Sequence, residues 1–152
     1  IDMSGQYFPK QGPVCYKVMD ARALSFDSGS FDSVFVINVL GVWSKQEDRR
    51  QILSEAIRVK TESGILYVIL PSEDLWTFPC NTEVLRTSRI GNQVAWAALK
   101  TDGSWIEFID NVVTSDEMIT TVKHLGCDVK VTRLSGEPFG YYKNIYDVFE
   151  IS

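Results

Sequence analysis

Four side chains hold the positions in this 152-residue chain where chemistry is most readily placed: Asp20, Asn38, Trp43 and Trp76. The stretch from Val14 to Asn38 reads as strand, acidic turn, tight loop, strand. Ligands in open α/β sheets gather outside the carboxyl ends of the strands. Asp20 and Asn38 each end a strand in this reading, and Trp43 and Trp76 each follow one, so a pocket formed there would meet all four. Structural roles stand beside these: aspartate is an ordinary turn residue, an asparagine at a strand end can satisfy backbone groups, and tryptophans bury area wherever they fall. Trp96 and Trp105 fit cross-strand packing in a hairpin.

Other chemistries find little support. His124 and Cys127 have a spacing that metal ligands use, but two ligands make no site and no partners stand nearby in sequence, so no metal is expected. His124 suits a helix end, where its charge meets the dipole. It is the only histidine and would have to serve any Ser or Cys triad, yet no G-x-S-x-G elbow is present. Pro79-Cys80 resembles the nucleophilic cysteine of cytosine-C5 methyltransferases, but no basic residue is adjacent to activate it. A net charge of −5 argues against a broad phosphate-binding face. Three widely spaced cysteines suit free thiols in a reducing compartment, and no window approaches a membrane span or a signal peptide. The expectation is a soluble, cytoplasmic protein without membrane or nucleic-acid partners. An apolar share of 45% is enough for one ordinary core.

The elements that must position those side chains follow from periodicity. Val14 to Met19 is β-prone after the Pro9 to Pro13 punctuation, and Ser33 to Leu40 is apolar on consecutive positions. Such runs suit parallel strands covered by helices on both faces. Ser44 with Glu47 predicts a capped helix carrying Ile52, Leu53, Ala56, Ile57 and Val59, closed by Glu62-Ser63-Gly64 before a second continuous run from Ile65 to Leu70. Ser72 to Asn92 lacks clear periodicity. Gln93 to Leu99 and Ser104 to Asp110 flank an Asp102-Gly103 turn and predict a hairpin. Thr114 to Glu117 has capping-box spacing ahead of Met118, Ile119, Val122 and Leu125. Asp128 to Leu134 and Ile145 to Ile151 alternate, with a break at Ser135 to Pro138, and predict an antiparallel pair.

Parallel strands, a crossover helix and a final antiparallel pair resemble the back part of a class I S-adenosylmethionine-dependent methyltransferase. The resemblance covers most of the chain and implies an α/β fold with a Rossmann-like methyltransferase sheet, mixed, with an antiparallel C-terminal edge. It implies S-adenosylmethionine as cofactor and methyl transfer to an unidentified acceptor. Ile1-Asp2-Met3-Ser4 resembles the segment whose acid holds the cofactor ribose, a task suited to a carboxylate because it accepts two hydroxyl hydrogen bonds. Met19-Asp20-Ala21 resembles the adenine-reading turn, where Asp20 would meet the exocyclic amine and a backbone amide a ring nitrogen. Phe31-Asp32 resembles the start of the family's fourth strand, Asn38 its end, and the residues to Trp43 would border the reactive methyl group. Trp43 and Trp76 would line the acceptor side.

The family's first strand and glycine-rich loop have no counterpart in this chain. In the family order 3-2-1-4-5-7-6 the first two strands stand between Val14 to Met19 and Ser33 to Leu40, leaving a gap of about 14 Å. Residues 1–152 therefore read as a partial domain with a hairpin insertion at about 72–113, lacking the first two strands, which an upstream segment or a protein partner would supply. Two rival readings remain: a catalytically inactive methyltransferase-like scaffold module in an assembly, and a nucleotide-binding oxidoreductase domain. The antiparallel C-terminal edge disfavours the second.

Overall fold

The computed structural model describes residues 15–74, 83, 85–139 and 142–152. Strand β1, Phe31–Ile37, pairs in parallel with β2, Lys60–Pro71, and helix α1, Gln46–Val59, connects them. β2 then pairs antiparallel with β7, Tyr142–Ile151, and β7 antiparallel with β6, Val129–Phe139. Helix α2, Ser115–His124, precedes β6. This four-stranded mixed sheet runs in the order β1-β2-β7-β6. A separate antiparallel sheet holds β3, Leu85–Ile90, β4, Gln93–Leu99, and β5, Trp105–Asn111.

Both helices pack on the same face of the mixed sheet. Val36, Leu66, Val68, Leu70, Phe149 and Ile151 point to that side and form one core with Ile52, Leu53 and Ala56 of α1 and Met118 and Val122 of α2. The opposite face corrects the expectation of cover on both sides. There Phe35 is 59% and Ile37 53% exposed, and Phe35 stacks on its register neighbour Tyr67 at 5.0 Å. Ile65, Tyr67 and Ile69 are half-buried, alternating with buried Leu66, Val68 and Leu70. The apolar run is continuous in sequence, yet among the described residues its cover is one-sided.

The largest correction is at the first expected strand. Cys15 to Met19, the described part of Val14 to Met19, is irregular, and Val18 is 87% exposed. A strand forms only where a ladder takes its N–H and C=O groups, and no strand among the described residues pairs with this segment. The chain that follows is held on α1 instead. Leu24 N donates to Glu55 Oε2 (2.8 Å), while Arg58 donates to the carbonyls of Leu24 (2.9 Å) and Phe26 (2.8 Å).

Boundaries shift elsewhere. The N-cap of α1 is Lys45 with no side-chain cap bond, rather than Ser44. The helix gives way to β2 directly at Lys60, so Glu62-Ser63-Gly64 lies within a bulged strand. Gly64 is required there by close approach, since a Cβ would sit 2.8 Å from the carbonyl oxygen of Asp32. β1 stops at Ile37, short of Leu40, because Asn38 turns left-handed (φ 54°) and Leu40–Val42 forms one 3-10 turn. Asparagine tolerates that conformation better than most residues.

β4 and β5 form the expected hairpin, with Asp102 Oδ1 accepting from Ser104 N (2.8 Å) and Gly103 at φ 83°. β3 had no expectation behind it. It joins β4 through Gly91-Asn92, with Gly91 at φ 60°, a two-residue turn signal that was present in the sequence. Thr114 Oγ1 accepts from Glu117 N at 3.1 Å, as its spacing predicts. β6 continues through Ser135 to Pro138 with an irregular register, where a break was expected.

Candidate functional site

The carboxyl ends of β1 and β2 meet the three-stranded sheet around a cavity of about 200 Å³. Asn38 and Gly41 contribute from the end of β1 and the turn after it, and Leu70 and Pro71 from the end of β2. Trp96 of β4 and Asp110 of β5 form the facing wall, and Tyr146 of β7 and Val113 close it. The hairpin register brings the wall together. Trp96 pairs across from Phe108 and Val94 from Asp110, so Trp96 and Asp110 are diagonal neighbours on one face. The Trp96 ring stacks on Phe108 with centroids 5.8 Å apart, which fixes its plane beside the cavity.

Asn111 anchors this wall to the end of β1. Its Nδ2 donates to Gly41 O at 2.9 Å, and a Cβ at Gly41 would come within 3.1 Å of Asn111 O. Glycine thus lets the two sheets approach. Burial pushes the Asp110 carboxyl above its ordinary value, while a hydrogen bond from the Trp96 side chain pulls it back only in part. A carboxylate partly stripped of water beside an indole is a perturbed group inside a concavity, a combination that marks candidate sites.

A second cluster joins Trp43, just after the 3-10 turn, to the first turn of α1. Asp20 Oδ1 accepts from Arg22 N (2.9 Å) and Nε (3.1 Å), and Oδ2 from Arg22 Nη2 (2.8 Å). Hydrogen bonds from Arg22 hold the Asp20 carboxyl down to about 2. The same guanidinium lies 4.3 Å from the Trp43 ring centroid, and its Nη1 donates to Asp48 Oδ1 at 2.9 Å. Arg22 therefore ties the Asp20-Ala21 turn to the 3-10 turn and to the first turn of α1. Ala21 packs against the core.

Of the residues singled out from sequence, Asn38 lines the cavity. Asp20 and Ala21 form the turn held by Arg22 and are not among the described residues lining the cavity. Trp43 is not among the described residues lining the cavity; its ring carries Arg22, and its carbonyl accepts from Arg49 Nη1 (2.5 Å). Asp2, Met3 and Trp76 lie outside the described residues. Sequence reasoning missed Asp110, Tyr146 and the cavity role of Trp96. The available signal was a carboxylate closing a β-prone run, Ser104 to Asp110. Among the described residues no three His, Cys, Asp or Glu side chains gather to hold a metal, and no helix is long and apolar enough to cross a membrane.

Residues 1–68 match the methyltransferase domain family. Solved structures share the arrangement of most of the chain. The chain has the fold of the class I S-adenosylmethionine-dependent methyltransferases. A SAM-dependent methyltransferase from Methanosarcina mazei is 18% identical with a TM-score of 0.62, covering 89% of this chain and 65% of its own. The CcbJ methyltransferase from Streptomyces caelestis is 10% identical with a TM-score of 0.63, covering 88% and 61%. CalS10 from Micromonospora echinaspora, an amino pentose methyltransferase with SAM bound, is 12% identical with a TM-score of 0.53, covering 87% and 62%. The chain thus spans just under two thirds of the length of these methyltransferases. No curated protein matches the sequence.

Proposed function

We propose that this chain is the acceptor-side portion of a methyltransferase domain that uses S-adenosylmethionine, and that the cavity beside Asn38 receives the acceptor. The observation that carries this reading is the cavity's place at the carboxyl ends of two parallel strands. Asp20 fits the adenine end of the cofactor. Its carboxylate is ionised over the whole physiological range, 46% exposed, and held in place by Arg22. Asp20 and Ala21 would hold the adenine, and Asp2 and Met3 the ribose.

Bound there, the cofactor supplies a methyl group already activated by its sulfonium. The chain's own task is then alignment, which can contribute about 7–11 kcal/mol when the reacting atoms are held in line. Leu70, Pro71 and Val113 exclude water from the cavity, and Trp96 and Tyr146 restrict the acceptor's orientation. Trp43 acts on the site indirectly, as the platform under Arg22. Cys15 and Cys127 are free thiols, which suits a reducing, cytoplasmic setting.

β1 pairs only with β2 among the described residues, and Phe35 and Ile37 stand exposed on the face away from the helices. We assign the other edge of β1 to a further strand, supplied by an upstream segment or by a partner protein, which would complete the cofactor site. Equilibrium dialysis with labelled S-adenosylmethionine tests this. The 152 residues alone are expected to bind weakly, and the same chain with the natural upstream segment or the partner to bind well. Absence of binding by the completed domain would replace the enzyme reading with the scaffold one.

In the completed domain, Asp20→Ala is expected to weaken cofactor binding by about 1–3 kcal/mol, the usual cost of losing one partner of a buried polar contact. Calorimetry measures it. An unchanged dissociation constant with the fold intact would remove Asp20 from the site.

A further inference from the structure

Asp110 is the only charged side chain among the described residues lining the cavity, and no lysine or arginine faces it there. Burial works against its ionised form. The remaining wall is apolar, aromatic or amide. A ligand that restores the lost hydration of this carboxylate must bring N–H or O–H donors, and a positive charge gains most from the reduced dielectric. Anionic groups are repelled.

Two further features narrow the class. Trp96 and Tyr146 line the same cavity as the carboxylate, and organic cations are attracted to aromatic ring faces. At about 200 Å³ the cavity is smaller than the roughly 300–1,000 Å³ of sites that enclose a drug-sized ligand, so it admits one end of a molecule. Asn38 adds an amide oxygen that can accept a second N–H. We propose that the cavity takes an amine head group, bound as its cation against Asp110 between the Trp96 and Tyr146 rings. The inference deepens the acceptor reading and rests on it for the name acceptor: the bound ammonium must first give one proton to the Asp110 carboxylate, because only the neutral amine has a lone pair to take a methyl group, whereas the amine site itself does not require methyl transfer.

The test uses the full-length protein and two probes of equal size, n-propylammonium and n-propanol, titrated at pH 7.5 while the Trp96 indole resonance is followed by NMR. The ammonium is expected to bind saturably and at least tenfold more tightly than the alcohol. Asp110→Asn should abolish that preference, Asp110→Glu should retain it, and Glu107→Gln, which removes an exposed carboxylate from the same strand, should leave it unchanged. Equal affinity for the two probes, or an unchanged preference in Asp110→Asn, would overturn the proposal. Dialysis with labelled S-adenosylmethionine on the same samples separates the two ideas. If Asp110→Asn loses cofactor binding instead of amine binding, the carboxylate serves the cofactor and the proposal falls. Selective amine binding by a protein that never binds the cofactor would sustain the amine site and sink the methyl-transfer reading.

Discussion

Phe149→Ala is expected to lower the free energy of unfolding by about 3–5 kcal/mol. Phe149 is 1% exposed and is the largest fully buried side chain among the described residues. It stands in register between Val68 of β2 and Val131 of β6, with α1 and α2 packed over the same face. Strands hydrogen-bonded on both sides hold the backbone in place, so the space left by the ring cannot close, and the loss combines transfer and cavity terms. Against a typical total of about 5–15 kcal/mol this is a large share. Urea unfolding should show a lower midpoint with an unchanged slope. Val131→Ala, in the next strand but 38% exposed, should cost less than about 1 kcal/mol. Similar losses for the two variants would show that the core is not centred on Phe149.

Arg133→Ala should destabilise the protein by about 2–3 kcal/mol at neutral pH. Its Nε donates to Asp147 Oδ1 at 2.9 Å and its Nη2 to Oδ2 at 3.3 Å, while Ser115 Oγ donates to Oδ2 at 3.0 Å. Asp147 is 3% exposed, so removing Arg133 strands a buried carboxylate with too few partners. Stranding one member of a fully enclosed pair costs about 3–5 kcal/mol, and the half-exposed position of Arg133 places this case lower.

The pH dependence has a definite sign. Burial pushes the Asp147 carboxyl up, but the bonds from Arg133 and Ser115 outweigh it and hold the group below its ordinary value. A depressed carboxyl contributes stability above its unfolded value of about 3.9 and loses it as pH falls toward the folded one. Without Arg133, burial dominates and the folded carboxyl rises, so acidification relieves the variant while it weakens the wild type. The stability gap should therefore shrink from pH 7 to pH 3.5. A gap that widened on acidification would contradict this account of the pair.

How far the sequence reached depended on how local each signal was. The Thr114 cap, the Asp102-Gly103 turn and the alternation of the last two strands each rest on neighbours within a few residues, and all three stand in the structure. The run from Ser33 and that from Ile65, separated by a helix-length segment, were enough to give a parallel pair with its crossover. These choices are made by backbone sterics and hydrogen bonding close along the chain. Val14 to Met19 carries the same β-prone composition, yet its described part stays irregular, because a ladder partner lies outside anything local composition can encode. The cavity follows the same rule more strongly. Asn38, Trp96, Asp110 and Tyr146 are separated by up to about a hundred residues and meet only because one sheet closes over the strand ends of another. Asn38 was legible as a cavity residue because it closes β1, whereas Asp110 gained its significance from burial against Trp96, which tertiary packing alone creates.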